Sequence, residues 1–437
     1  MKLNYKRTLL VGLAFFSISA FWQVYDGIIP LILRETFGIS DTLSGVVMAA
    51  DNVLALFMLP LFGMLSDITK TSLGRRMPYI LGGTAVACIT ALLIPLADTI
   101  RSLPLFLISL GITLVAMSTF RSPAVALMPD VTPKPLRSKG NAVINLMGAV
   151  GGILALGLIA LLVSSSQRPS YFPIFIAVVA LMAGSAFVLF KKVNEPMLVH
   201  AMEEESLAIP TEAVQPQQDL PLLSAAPQAK TRMSPEMKRS FTFLLLSVFL
   251  WFMGYNAVTT AFSKYARVYW GLTGGSYAYT LMVAQAAAIV SFLPVGFVAS
   301  KIGRKKTILF GVLLLALAFG CAILFTTFSA AVFFFFALAG VGWASINVNS
   351  YPMVVEMCKE ADVGKYTGYY YTFSMSAQII TPILSGAVMQ YIGYKYLFPY
   401  ATMFVALAFF TMLRVHHGDN RPGMPQSALE LYDAGDD

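Results

Sequence analysis

Residues 51–83 read DNVLALFMLPLFGMLSDITKTSLGRRMPYILGG. An apolar run with Asp51 at its start closes on a polar turn, Ser66-Asp67 to Gly74-Arg75-Arg76, and a second apolar run begins at once. The turn is too short to hold a folded soluble domain, so it reads as a tight connection between two membrane spans. A reduced copy, LPVGFVASKIGRKKTILFGV, stands at 293–312. A second copy implies a duplicated architecture.

The rest of the chain agrees. It has 437 residues, of which 57% are hydrophobic and only 12% charged, with a mean hydropathy of +0.72. An average soluble chain is about 25% charged. A span needs about 20 apolar residues. Twelve candidates fall near 9–33, 41–65, 78–97, 103–128, 140–163, 171–190, 241–264, 276–299, 307–327, 330–355, 366–390 and 396–413. Alternating strand patterns are absent, which excludes a barrel. The expected fold class is an all-α integral membrane protein.

The formal charge of +8 could point to nucleic acid, but its distribution argues otherwise. With the N-terminus inside, 23 of the 30 Lys and Arg lie in inside segments; Arg34, Arg101, Arg168, Lys264, Arg267 and Lys395 lie outside, and Arg121 lies within a span. That asymmetry follows the positive-inside rule with both termini cytoplasmic. The basic charge is topological, and no nucleic-acid partner is expected. Lys2, Lys6, Arg7 and the following apolar stretch resemble a signal peptide, but the stretch runs past Trp22 to Leu33, too long for one. Cys88, Cys321 and Cys358 are unclustered and predict neither a disulfide framework nor a metal site. No cofactor is expected.

Segment 192–238, with Glu203-Glu204-Glu205 and several Pro and Gln, reads as a disordered cytoplasmic linker. It separates six-span halves at 1–191 and 239–415; a tail follows at 416–437. The halves match elsewhere too. Segment 121–140 resembles 347–366, with Pro129-Asp130 on Val355-Glu356 and Lys139 on Lys365. Trp22 falls on Trp251, Asp26 near Tyr255-Asn256, Pro60 on Pro294 and Ser66 on Ser300. Parallel six-span repeats are one transporter design, with the solute site near the midplane between them.

The turn motif and the 6+6 topology resemble the major facilitator superfamily. Within it, the string from Asp51-Asn52 to Gly74-Arg75-Arg76-x-Pro78-Tyr79-Ile80-Leu81 is similar to the glycoside–pentoside–hexuronide cation symporters and the related sucrose-transporter-like group. Arg121-Ser-Pro-Ala and Met128-Pro-Asp130 in the fourth span, with Trp251-Phe-Met-Gly-Tyr255-Asn256 in the seventh, support that placement. The resemblance covers about 1–415. It implies secondary active transport by alternating access, commonly of a sugar with a proton or sodium ion. It also implies that Asp67, Gly74, Arg75 and Arg76 form a cytoplasmic gate clasp that holds an outward-facing state. Two departures stand out. Melibiose-permease-like members carry paired acids beside the second-span proline, whereas here Leu59 precedes Pro60 and Asp51 lies more than two turns earlier. This tilts the expectation from sodium to protons. The second turn has Lys301 where the first has Asp67.

Charges within spans are the sharpest chemical signal, since one costs about 2.5–3.5 kcal/mol at a span centre and so faces a cavity or a partner. Asp26, one turn after Trp22 on the same face, is a candidate for proton or sugar binding. Asp51 and Arg121 join it as a cation-coupling set, Arg121 pairing with one acid in one protonation state and releasing it in the other, while its fork also suits adjacent sugar hydroxyls in substrate binding. Each could instead belong to a fixed helix-packing pair. Asn52 sits beside Asp51. In the seventh span, Asn256, Thr260 and Lys264 form one polar stripe beside Tyr255; Lys264 and Arg267 could equally snorkel to the outer surface. Trp343 with Asn347, Gln378 and Asn145 are further polar or aromatic candidates. A sugar presents hydroxyl edges and weakly apolar faces, so Trp22, Trp251 and Trp343 are candidate platforms. Gly148, Gly151 and Gly152 predict close helix packing.

The expected function is proton-coupled sugar symport, of a disaccharide or other glycoside, by a monomer in the plasma (inner) membrane. The alternatives are sodium coupling, or an exporter or carrier of an anionic solute such as a uronate. An enzyme is not expected, because His200, His416 and His417 lie outside the spans and no nucleophile–base pair appears.

Overall fold

The computed structural model describes residues 3–133, 136–166, 168–207, 234–357 and 363–419, and among them there is no strand. The first half holds α1 (Tyr5–Glu35), α2 (Asp41–Ile68), α3 (Met77–Thr99), α4 (Leu103–Asp130), α5 (Arg137–Leu162) and α6 (Phe172–Lys192). A short α7 (Glu195–Leu207) follows. The second half holds α8 (Pro235–Val268), α9 (Tyr277–Ile302), α10 (Arg304–Ala322), α11 (Ala331–Glu356), α12 (Val363–Ala387) and α13 (Leu397–Leu413). Among the described residues twelve helices, all but α7, are long and apolar enough to cross a membrane, close to the expected spans. Their outward side chains, such as Phe57, Leu161, Val290 and Phe334, are apolar and exposed, as lipid contact requires.

Local chemistry sets the helix ends. Asn4, Ser40, Ser102 and Ser234 each accept a backbone N–H of the first turn. Within the first half α1 packs on α5 and α6, and α3 on α4; within the second, α8 packs on α12 and α13, and α11 on α9 and α10. The expected close packing by small residues is present. A Cβ on Gly151 would stand 2.1 Å from the Phe16 carbonyl of α1. The halves meet through α2 with α12, α5 with α9, and α1 with α8.

The expected unstructured linker differs at its start, where Glu195–Leu207 is helical. No apolar period announces α7; its first residue is tethered by the tertiary contacts described below. It differs at its end too, where α8 begins at Pro235; residues 208–233, and most of the tail, from 420 on, lie outside the described residues.

Candidate functional site

A cavity of about 1190 Å³ lies between the halves. Its lining includes Pro129 in the last turn of α4, Asn141 in the first turns of α5 and Gly368 near the start of α12. All three are at the helix ends nearest the termini. On the opposite side the halves touch across the end of the cavity: Lys264 pairs with Asp41, Arg267 with Glu35, and the Tyr277 hydroxyl donates to the Gly27 carbonyl at 2.9 Å. The cavity therefore opens towards the side that carries both termini.

The first half supplies the charged wall. Trp22 and Asp26, four residues apart on α1, both line the cavity, with Gln23 beside them. Trp22 is wedged edge-on between Phe21 and Tyr25, with ring centroids at 5.4 and 5.2 Å. Asn52 lines the cavity and donates from Nδ2 to Asp51 Oδ1 at 2.8 Å, so Asp51 sits immediately behind the wall. Arg121 of α4 lines the cavity and is exposed. Asp26 and Asp51 act on each other electrostatically, as do Asp51 and Arg121. The three charges expected to work together are thus brought together from three helices.

The second half supplies an aromatic wall. Tyr255 and Trp343 stack face to face, with centroids 3.7 Å apart and planes inclined by 4°. Phe252 meets the Trp343 edge at 5.3 Å. Asn347, one turn along α11, Gln378 of α12 and Asn145 of α5 also line the cavity.

Three expected ligands are elsewhere. Trp251 is fully buried in a helix that packs on α12 and α13. Asn256 and Lys264 do not line the cavity. Lys264 is buried, with Nζ 3.1 Å from Asp41 Oδ1 of α2. The correction comes from helical rotation. Each residue turns the face by about 100°, so the cavity row of α8 is Tyr255, Thr259 and Ser263, not Asn256, Thr260 and Lys264. Arg267 does not snorkel either: its Nε and Nη2 donate to Glu35 at 2.8 and 3.2 Å. Gln23, Thr259, Ser263 and Gln285 are among the further polar lining and were not expected. Only their uncharged polarity within apolar runs marked them.

The turn motif folds into a compact ion cluster at the termini side. Arg76 is buried and pairs with Asp67, donates to Asp130 Oδ2 at 2.8 Å and to Ser66 Oγ at 2.5 Å. Arg75 holds the other oxygen of Asp130 at 2.7 Å. Burial alone would lower the Arg76 guanidinium, but the Asp130 and Asp67 carboxylates outweigh it and hold the group above its ordinary value. Asp67 thus bonds within its own half, with the cavity open on this side. The clasp expected of Asp67 belongs to an outward-facing state, not to this one.

Glu195, just beyond α6, is the residue that sequence reasoning missed here. Its buried carboxylate accepts the N–H groups of Arg75, Arg76 and Met77 at 2.8–3.0 Å, capping α3. Gly74 makes room for it: φ is +106°, and a Cβ would fall 2.4 Å from the carboxylate. The second half repeats the device. Arg304 pairs with Glu356, and Asp419, just beyond α13, accepts the Lys305 N–H at 2.7 Å under Gly303, whose φ is +95°. The signal available in sequence was an acid following the last span of each half. Glu195→Ala is expected to cost about 1–2 kcal/mol through the lost cap, read as a lower melting temperature in detergent. An unchanged melting temperature would mean that the cap does not hold the turn.

Comparison with known proteins adds the following. The family model for the Major Facilitator Superfamily matches residues 11–293 and 244–430. The sucrose transport protein SUT3 of Oryza sativa subsp. japonica is 31% identical over 139 residues, covering 28% of this chain and 28% of that protein. The sucrose transport protein SUC3 of Arabidopsis thaliana is 28% identical over 139 residues, covering 28% of this chain and 23% of the other. The isoprimeverose transporter of Lactiplantibacillus pentosus is 22% identical over 317 residues, covering 69% and 61%. Each match thus spans less than two thirds of the relative. Among solved structures, a POT family transporter bound to a thioalcohol-conjugated peptide has a TM-score of 0.68 at 12% identity, covering 93% of this chain and 94% of that one. A bacterial homologue of the iron transporter ferroportin, in its inward-facing state, has a TM-score of 0.66 at 12% identity, covering 95% and 99%. These last likenesses are of fold alone.

Proposed function

The chain belongs to the Major Facilitator Superfamily, and from that membership we propose that it is a proton-coupled sugar symporter working by alternating access. The termini side is cytoplasmic in this reading, and the membrane is the plasma (inner) membrane. The chain works as a monomer and does no covalent chemistry on its solute.

The observation that carries the reading is the division of the cavity into two unlike walls. Asp26, Asn52 and Arg121 on one side offer a carboxylate, an amide and a forked guanidinium to hydroxyl groups. The Tyr255–Trp343 stack, with Asn347 and Gln378, offers an apolar face edged by amides. Sugars have both kinds of surface. The curated relatives include two named as sucrose transporters and one as an isoprimeverose transporter, which supports a glycoside as solute. Asp26 and Asp51, coupled electrostatically to each other and to Arg121 through Asp51, are the groups assigned to the proton. The skew of Lys and Arg towards the termini side supports the orientation.

The test is external pH in lightly buffered, sodium-free cells expressing the protein, as disaccharides, monosaccharides and uronates are added in turn. Alkalinisation on adding a neutral glycoside is the expected result. A response only to uronates would make Arg121 the ligand of an anionic solute, and no response with or without sodium would remove the sugar reading. Arg121→Lys keeps the charge and loses the fork. It is expected to raise KM for the solute about tenfold or more; an unchanged KM would take Arg121 out of the binding site.

A further inference from the structure

On the side opposite the termini the halves are closed on each other, and Asp41 stands at the centre of the closure. It opens α2 and is almost fully enclosed. Lys264 of α8 approaches it to 3.1 Å and also reaches Ser44 Oγ at 3.4 Å. The Tyr394 hydroxyl, in the short turn before α13, donates to Asp41 Oδ2 at 2.5 Å. Arg34, from the end of α1, holds the same oxygen at 3.1 Å and lies 4.8 Å over the Tyr394 ring. Lys264 and Tyr394 belong to the second half, Arg34 and Asp41 to the first.

The backbone round this cluster is close enough to need glycine. A Cβ on Gly386 of α12 would stand 2.3 Å from the Asp41 carbonyl, and one on Gly45 of α2 would stand 2.1 Å from the Pro382 carbonyl. Just beyond Gly386, α12 widens into a π-type turn, Val388–Ile392, whose Gln390 accepts the N–H and hydroxyl of Thr42.

We infer that Asp41 and Lys264 form the latch of the external gate, a buried ion pair that holds the far side shut while the cavity faces the termini. Its role as a gate rests on the transport reading above. The two partners are not equivalent. Asp41 keeps Arg34, from its own half, whether the seam is open or shut. Lys264 is paired with Asp41 across the seam, so on opening it needs water in place of the carboxylate. A buried pair broken by removing one partner leaves an uncompensated charge, which is far worse for the closed form than losing both charges together. Neutralising Asp41 therefore strands Lys264 in the seam and drives it towards water. Neutralising both groups removes the reason to open.

The experiment needs no solute. A cavity reporter, Thr259→Cys, is placed in a background carrying Cys88→Ala, Cys321→Ser and Cys358→Ser, and an impermeant maleimide is applied to intact cells. Arg168→Cys in the far-side loop, in a parallel sample, establishes which face the reagent meets. Asp41→Asn is expected to raise the labelling rate of the cavity reporter about tenfold or more, and adding Lys264→Met to it is expected to bring the rate back towards that of the parent. Should Asp41→Asn not reach the membrane, Gly386→Ala pushes a methyl group at the Asp41 carbonyl and is expected to raise labelling likewise. Parental labelling in Asp41→Asn, or a double variant as open as the single one, would overturn the latch. Changed labelling without any solute-linked proton movement would keep the latch and sink the sugar reading, so the two fail separately.

Discussion

An Asp26→Asn protein is expected to exchange solute across the membrane but to lose uphill accumulation, with the accumulation ratio falling to about unity, a drop of tenfold or more if coupling is removed. The substitution keeps the size and the hydrogen-bonding edge of the side chain and removes the proton site. Asp26 lines the cavity on the same face of α1 as Trp22, which in the proposed reading puts solute and carboxylate in one space. A charge at this depth costs about 2.5–3.5 kcal/mol, which a cell membrane protein keeps when it uses the group. Asp51 lies behind Asn52 and acts electrostatically on Asp26. The measurement is paired: counterflow of labelled solute at equal pH, and uptake against a gradient driven by pH. Normal uphill uptake by Asp26→Asn would remove Asp26 from coupling and pass the role to Asp51.

Arg76→Ala is expected to cost about 3 kcal/mol of stability, at the lower end for breaking a buried ion pair. The side chain is 6% exposed and is the common partner of Asp67, Asp130 and Ser66. Its removal leaves Asp130, only 14% exposed, with Arg75 alone. Asp67 is 56% exposed and adds little to the cost, because water takes over as its partner. Arg75 is the contrast. Its side chain is 40% exposed and shares Asp130 from outside the cluster. Arg75→Ala is expected to slow transport with little loss of stability or solute affinity. Melting temperatures in detergent and solute KM for the two variants decide the matter. Equal stability of both would mean that Arg76 is no keystone, and a large affinity loss in Arg75→Ala would contradict a gate role.

Residues 51–83 were enough to read two spans and the turn between them, and the copy at 293–312 was enough to read the duplication. Both depend on covalent order and on the apolar length a bilayer demands. The repeat matched Asp130 to Glu356 but named no partner for either; the structure pairs both with arginines of their turns, Asp130 with Arg75 and Arg76 and Glu356 with Arg304. The polar stripe of α8 misled. Spacing puts Asn256, Thr260 and Lys264 on one face but does not say which neighbour that face meets. The structure turns it away from the cavity and gives Lys264 to Asp41.

The amino-acid sequence by itself determined the membrane class, the twelve spans, the two halves and the charges too costly to leave unpartnered, because each follows from local composition and the properties of lipid. Only the tertiary structure decided which partner each charge has. Arg121 and Asp26 share the cavity, Glu195 and Asp419 cap helices begun far away in the chain, and Asp41 binds a lysine from the other half. Those pairings depend on helix rotation and on how the halves meet, and a step of one residue along a helix turns a side chain by about 100°, enough to move it from solute to seam.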